Sequence, residues 1–337
     1  RHAARKTKMF KQCEKYFRAH CHVLVVLVLL SILGTAVSIV SPYITGNIIT
    51  DISSGHSLFP ILHKCKVLLL LFLLSHAMGV FSSVLKLKIE LSMGKEFNCD
   101  VIFHIQDLPY SYIQSQNLSA LNQAVNQDTN TIIAFCIDLV LTVTTKILNV
   151  LCVLFLCFSL NIEMSLIIVI SSILYTLLYL VLKKKLYATR KNLRICESNF
   201  FAKLFEQLEF IYFIKTNSIE SSFRKRVDDS FAKFTSAKVN DSYLQYLISV
   251  LQSSISLLSQ LILLIVGAQC VYNDKITIGL LITFSTYFSQ VQNGILYFLN
   301  LGSSYQNARV SSQRIHDILS KSKEPSGHKK FSPPLSV

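Results

Sequence analysis

Six stretches of this 337-residue chain are apolar over the ~20 residues a helix needs to cross the hydrocarbon of a bilayer, or somewhat more. They cover 21–40, 67–85, 132–160, 164–182, 244–271 and 276–301. A run of that kind must satisfy its own backbone hydrogen bonds once water is gone, and an α-helix does so within a single segment. The composition agrees, since 51% of the residues are hydrophobic and only 15% are charged, too few for a soluble protein of this size. The expected class is all-α: a polytopic membrane protein of six long transmembrane helices with cytoplasmic extensions. A basic start followed by an apolar stretch also describes a secretory signal, and Ala36-Val37-Ser38 is similar to a cleavage site. The run is long for a signal core and five more follow, so the first helix is read as retained, loosened at Pro42 and Gly46.

Charge sets the orientation. The N-terminal arm, the intervals 86–131 and 183–243 and the residues after 301 together hold 29 of the 33 Lys and Arg residues. The opposite connections hold only Lys64, Lys66 and Lys275, while Lys146 lies inside the third run. The positive-inside rule therefore puts both termini in the cytoplasm, with the protein multi-pass in the cell membrane. Two connections on the other side are only three or four residues long and force tight antiparallel helix pairs. Both inner intervals lack the Gly, Ser and Pro bias of linkers, so their helices are expected to continue out of the bilayer. Residues 1–21 read as a basic arm, 22–319 as the membrane domain and 320–337, with Pro325, Gly327, Pro333 and Pro334, as a flexible tail.

Residues 205–226 form the largest water-compatible interruption. Phe210, Ile211, Phe213, Ile214 and Ile219 are punctuated by Glu206, Glu209, Lys215 and Glu220, a pattern for an amphipathic helix against a soluble partner. Inside the runs, Asp138, Thr142, Lys146 and Asn149 fall within a quarter-turn of one helix and make a polar stripe. Lys146 either contacts substrate or pairs with Asp138, two turns away, or with the neighbouring helix. Gln245, Ser249, Gln252, Ser253, Ser256 and Gln260 repeat the pattern in the fifth run, and Thr283, Tyr287, Gln290, Gly294 and Tyr297 share a face of the sixth less cleanly. Helix–helix hydrogen bonding is the plain reading of such Ser and Gln side chains. The stripe is longer than one helix contact needs, so a wet cavity for an amphipathic or peptide-like substrate is expected.

No catalytic constellation is present. The nine cysteines include no Cys-x-x-Cys pair and the histidines are scattered, so no metal site is expected. Topology and anionic lipid account for the basic charge, so no nucleic-acid partner is needed.

The ordered motifs resemble the transmembrane domain of ABC-type exporters, similar to bacterial peptide and bacteriocin exporters, over nearly the whole chain. SPYITGNIITD (41–51) resembles that family's first-helix exit, and HIQDLPYSYIQSQNLSALNQAVNQD (104–128) its first inner loop. IKTNSIE (214–220) resembles the second inner loop, VGAQCVYNDKITIGLLITF (266–284) the hairpin between the last two helices, and ARVSSQRIHDIL (308–319) the exit toward the ATPase domain. The chain departs from the family at Ser119 and Gln123, where Gly and Arg are frequent, and at Gly294, where Pro is frequent. The resemblance implies two six-helix units around a central cavity, as a homo- or heterodimer, switched by ATP-driven closure of nucleotide-binding domains. It also implies short transverse helices near 109–116 and 213–219 that dock on those domains through Pro109, Tyr110, Tyr112, Phe213, Ile214, Lys215 and Thr216. No Gly-x-x-x-x-Gly-Lys-Ser/Thr occurs in the chain. ATP and Mg²⁺ are therefore expected on nucleotide-binding domains outside it, and the chain alone is expected not to hydrolyse ATP by that route. Ile105-x-x-Leu108-Pro109 is similar to the inner-loop signature of importer permeases, but the Glu-Ala-Ala that precedes that signature is absent. A non-transporting subunit that regulates a partner is the other alternative.

The charge asymmetry makes the topology testable. Cysteines introduced at Ser57 and Asn273 are expected to react with an impermeant maleimide from outside intact cells, and one at Ser221 only after permeabilisation. Labelling at Ser221 in intact cells would reverse the assigned orientation.

Overall fold

The computed structural model describes residues 13–115 and 118–324, and among these the chain is helical almost throughout, without a strand. The helices are α1 (Cys21–Ser53), α2 (Leu58–Gln106), the short α3 (Tyr110–Ser115), α4 (Leu121–Leu160), α5 (Ile162–Glu209), the short α6 (Ile211–Thr216), α7 (Glu220–Tyr272) and α8 (Ile278–Leu319). Each apolar run lies in one of the six long helices. With 49, 48 and 53 residues, α2, α5 and α7 are far longer than a bilayer requires. The expected extensions beyond the membrane are thus continuous helix. α1 passes through Pro42 unbroken, where loosening was expected. The first tight connection shrinks to Asn161, whose side chain accepts from the Met164 N–H and caps α5 at once.

Five helices, α1, α2, α4, α5 and α7, are long and apolar enough to cross a membrane. α8 has the length but not the apolarity, because Ser289, Gln290, Gln292 and Asn293 interrupt its middle. The apolar part of α2 has no buried residue: Leu69, Leu70, Leu73 and Leu74 all point outward. At roughly 25 cal/mol per Å², an apolar surface of that extent is tolerable only in a hydrocarbon solvent. The protein is a multi-pass membrane protein.

The chain forms two compact units, one made of residues up to Phe155 with those from Leu296 onward, the other of Leu156–Ile295. In the first, the buried stripe Ile89, Met93, Phe97 and Val101 recurs every four residues along α2, past the end of its apolar run. It shares one core with Leu24 and Leu27 of α1 and Ile132, Ile133 and Ile137 of α4. Complete burial of one such side chain is worth about 1.5–3 kcal/mol. Gly94 permits a close approach, since a Cβ there would lie 2.6 Å from Asn130 Oδ1. The basic arm docks as well. Residues 13–19 are helical, and Tyr16 O–H and Lys15 Nζ donate to Asp100 at 2.6 and 2.9 Å. Burial, then the bond to Asp100, pushes the Tyr16 phenol above its ordinary range. Residues 1–12 and 325–337, most of the arm and tail as read from the sequence, lie outside the described residues.

In the second unit α5 and α7 are an antiparallel pair joined by α6. Thr189 meets Asp241, Phe200 stacks on Phe234, and Gln207 donates to the Phe223 carbonyl, so one number falls as the other rises. At the other end a Cβ on Gly267 would lie 2.2 Å from Leu281 Cδ1 and 3.0 Å from Met164 Cε, which ties α5, α7 and α8 closely. Lys275 and Glu163 join the two tight connections at 2.6 Å. The hydrogen bond to Glu163 and its charge hold Lys275 above the ordinary lysine value. The same bond holds the Glu163 carboxyl below the ordinary range, so the clasp persists between the two, lost as pH falls through the depressed Glu163 value or climbs through the raised Lys275 one.

The C-terminal end of α8 is fastened to α4. Ser311 Oγ and Arg314 Nη2 donate to Asp128 Oδ1 at 2.7 and 2.8 Å, and Asp128 is only 2% exposed. Arg314→Ala is expected to cost about 3 kcal/mol, the low end for breaking a buried pair because the arginine is half exposed. Arg314→Ala with Asp128→Asn should cost clearly less than the sum of the single changes, a result that thermal unfolding in detergent would check.

Candidate transmembrane polar site

The polar stripe begins where α4 departs from regular winding. Ala124–Asp128 and Leu139–Val143 are π-helical turns, one ending at Asp128 and the other following Asp138 directly. Such turns are frequent at functional positions. Asp138 gathers three partners: Tyr297 O–H at 2.7 Å, Thr142 Oγ1 at 2.5 Å and Lys86 Nζ at 3.6 Å. A carboxylate at membrane depth is thereby hydrogen-bonded and charge-compensated. Of the predicted stripe the structure brings together Asp138, Thr142 and Tyr297. Asn149 donates instead to Ser38 Oγ of α1 at 3.2 Å. Lys146 is half-buried, and among the described residues it has no hydrogen-bond or ion-pair partner. The pairing of Lys146 with Asp138 considered from the sequence is therefore not made, because Lys86 takes that place. Lys86 was visible only as the first charge after the second run, and Ser38 only within the cleavage-site likeness of Ala36-Val37-Ser38, not as a partner of Asn149.

The α7 and α8 positions of the second unit divide similarly. Gln245 donates to Asp241, which also receives Thr189 Oγ1 at 3.2 Å and is 2% exposed. Gln260 donates to Ser285 Oγ at 3.1 Å. Among the described residues Ser249, Gln252 and Ser256 have no hydrogen-bond partner, Ser249 being exposed and the other two half-buried. Gln290 is half-buried. Tyr287 is buried to 1% and belongs to the packing of its unit rather than to an open face, contrary to the sequence reading. Sequence reasoning passed over Asp241 and Gln292, which donates to Ser171 Oγ at 3.2 Å, because each is a single polar residue without a periodic signal.

The predicted docking residues sit on the two short helices. α3 starts after Pro109, whose carbonyl accepts from the N–H of Tyr112 at 3.0 Å and of Ile113 at 3.3 Å. Tyr110 is 74% exposed, and Tyr112 is half-buried beneath Lys321 Nζ, 5.7 Å from its ring centre. On α6, Phe213, Lys215 and Thr216 are exposed, and the fully open Tyr212 went unnoticed in the sequence. Ile214 was read as exposed but is 6% exposed, because the short helix turns it inward. α6 begins at Ile211, two residues before the expected start, and ends at Thr216. A left-handed turn at Ser218, with φ 54°, follows it.

The profile of the ABC transporter transmembrane region matches residues 24–295. The chain belongs to this family. The matched range takes in the polar stripe of α4 and both short helices. Among curated relatives, the lactococcin transport/processing ATP-binding protein LcnC-like of Lactococcus lactis subsp. lactis is 23% identical over 64% of this chain and 30% of its own length. The transport/processing ATP-binding protein ComA of Streptococcus pneumoniae is 22% identical over 68% of this chain and 32% of its own. The lactococcin-G-processing and transport ATP-binding protein LagD of L. lactis is 28% identical over 36% and 18%. The chain thus spans about a third of the length of the first two.

In this ABC transmembrane region, the bonds around Asp138 predict contrasting stability effects. Tyr297→Phe is expected to cost about 1–3 kcal/mol, since a half-buried charged acceptor loses its closest neighbouring-helix donor. Lys146→Ala should be neutral or stabilising, as a half-buried charge without a partner is removed. Thermal unfolding of both variants in detergent checks the contrast.

Proposed function

We propose that this chain is the membrane part of an ATP-driven exporter, forming half of a translocation pathway that opens alternately to either side of the cell membrane. The observation that carries the reading is the family match over 24–295, together with relatives whose printed names describe lactococcin transport and processing. The cargo proposed is a peptide or amphipathic molecule. Neutral polar and aromatic side chains such as Gln252, Ser256 and Tyr297 support a peptide-like ligand over a small ion. The partners are a second six-helix unit and nucleotide-binding domains, which would carry ATP and Mg²⁺. The charge asymmetry supports cytoplasmic termini, and with them α3 and α6 on the side where such domains would bind. Exposed aromatic side chains at the ends of long helix pairs are suited to fill clefts of a partner, and Tyr110 and Phe213 are the anchors proposed.

The test is Phe213→Ala in a transporter reconstituted into vesicles with its nucleotide-binding domains. Loss of an anchor worth about 1–3 kcal/mol should lower transport and its coupling to hydrolysis while insertion stays normal. Lys146→Ala should instead change cargo affinity or choice. Unchanged coupling in Phe213→Ala would remove α6 from the docking role. Failure of the parent assembly to move any peptide on ATP addition would remove the export reading itself.

A further inference from the structure

Two thiols meet in the core of the first unit. Cys13, on the docked arm helix, and Cys136, on α4, are 1% and 0% exposed, with their sulfurs 3.8 Å apart and the Cys136 S–H donating to Cys13. They are 123 residues apart in the chain. The same buried cluster contains Tyr16, Phe97, Ile132 and Ile133, so the surroundings are apolar. Among the described residues no group of three Cys, His, Asp or Glu side chains is placed to hold a metal. The chemistry that two thiols at this distance offer by themselves is oxidation to a disulfide. The sulfurs need to close by about 1.8 Å to reach a bonded distance of ~2.05 Å.

We propose that Cys13 and Cys136 form a redox-closable staple, which hydrogen peroxide converts into a disulfide that fixes the N-terminal arm to α4. One thiol attacks a peroxide oxygen, the O–O bond breaks, and a sulfenic acid forms with release of one water. The second sulfur displaces the sulfenic hydroxyl as another water, so two S–H bonds and one peroxide yield one S–S bond and two waters. The hydrogen bond with Cys136, then burial, holds the Cys13 thiol above its ordinary range. The docked pair therefore rests reduced and reacts more slowly than the exposed Cys21, Cys65 and Cys152. Once closed, the bridge completes a loop containing α1, α2 and α3 and prevents the arm from leaving α4. Long-loop bridges of this kind also restrict the unfolded chain.

The experiment uses the reduced chain in detergent. Exposed thiols are first blocked with N-ethylmaleimide under native conditions, and the protein is then treated with hydrogen peroxide at low concentration, denatured, digested and weighed. The expected product is a single linked peptide pair containing Cys13 and Cys136. It is two hydrogens lighter than its parts, reversed by a phosphine, and accompanied by a rise of several degrees in the unfolding midpoint. Cys136→Ser, or Cys13→Ala should the first variant unfold, is expected to lose both signals. Recovery of Cys13 and Cys136 as separate peptides, or a bridge from either to another cysteine, would overturn the proposal. So would native alkylation of both as fast as Cys21.

Discussion

A peptide group in hydrocarbon has no water to bond to, and this constraint shapes the protein more than any side-chain contact. It forces each apolar run into a helix, and nothing in it stops the helix where the membrane ends. α5 and α7 therefore continue for tens of residues, where a lone helix would be marginal in water. They are sustained by each other. Thr189 with Asp241, the Phe200, Phe231 and Phe234 cluster and Gln207 with the Phe223 carbonyl hold the pair along its length. The extension of α2 is supported differently, by the arm and α4 over the Ile89–Val101 stripe.

The second organising feature is electrostatic. α4 carries two acids ten residues apart, and α8 answers each with donors: Tyr297 for Asp138, and Ser311 with Arg314 for Asp128. At about 100° per residue the acids lie roughly 80° apart around α4, while Ser311 and Arg314 lie roughly 40° and 100° from Tyr297 around α8. The two faces turn together, so both anchors are made without bending either helix. Breaking one leaves a carboxylate in a medium that solvates it poorly.

The architecture was largely legible in the sequence because its cause is local. Twenty apolar residues specify a helix by themselves, and the ordered motifs at 41–51, 104–128, 214–220 and 308–319 point to the family on such a scaffold. Extension of α2, α5 and α7 was legible too, from helical spacing without linker composition. The detail of the site was less so. Periodicity places Asp138, Thr142, Lys146 and Asn149 on one side of a helix but does not say which neighbour faces them. Lys86 and Ser38, which take up Asp138 and Asn149, belong to other helices and carry no pattern linking them to α4. Ile214 was misplaced for a related reason: in a six-residue helix, one turn decides which apolar residue faces inward, and the spacing of five apolar residues cannot. The π turns left no mark at all.

Polarity inside a membrane helix is thus two different signals written in the same residues. Asp138, Asn149 and Gln260 are polar because another helix needs a partner there, while Gln245 bonds Asp241 on its own helix, and each is hydrogen-bonded within its own unit. A group already satisfied in this way offers little to a ligand, since binding would exchange one good hydrogen bond for another. Lys146, Ser249, Gln252 and Ser256 differ, having no such bond among the described residues. Membrane burial of a polar group without a protein partner is costly enough that its retention calls for water or a ligand. The remainder of the stripe reads as the framework that holds the helices in place.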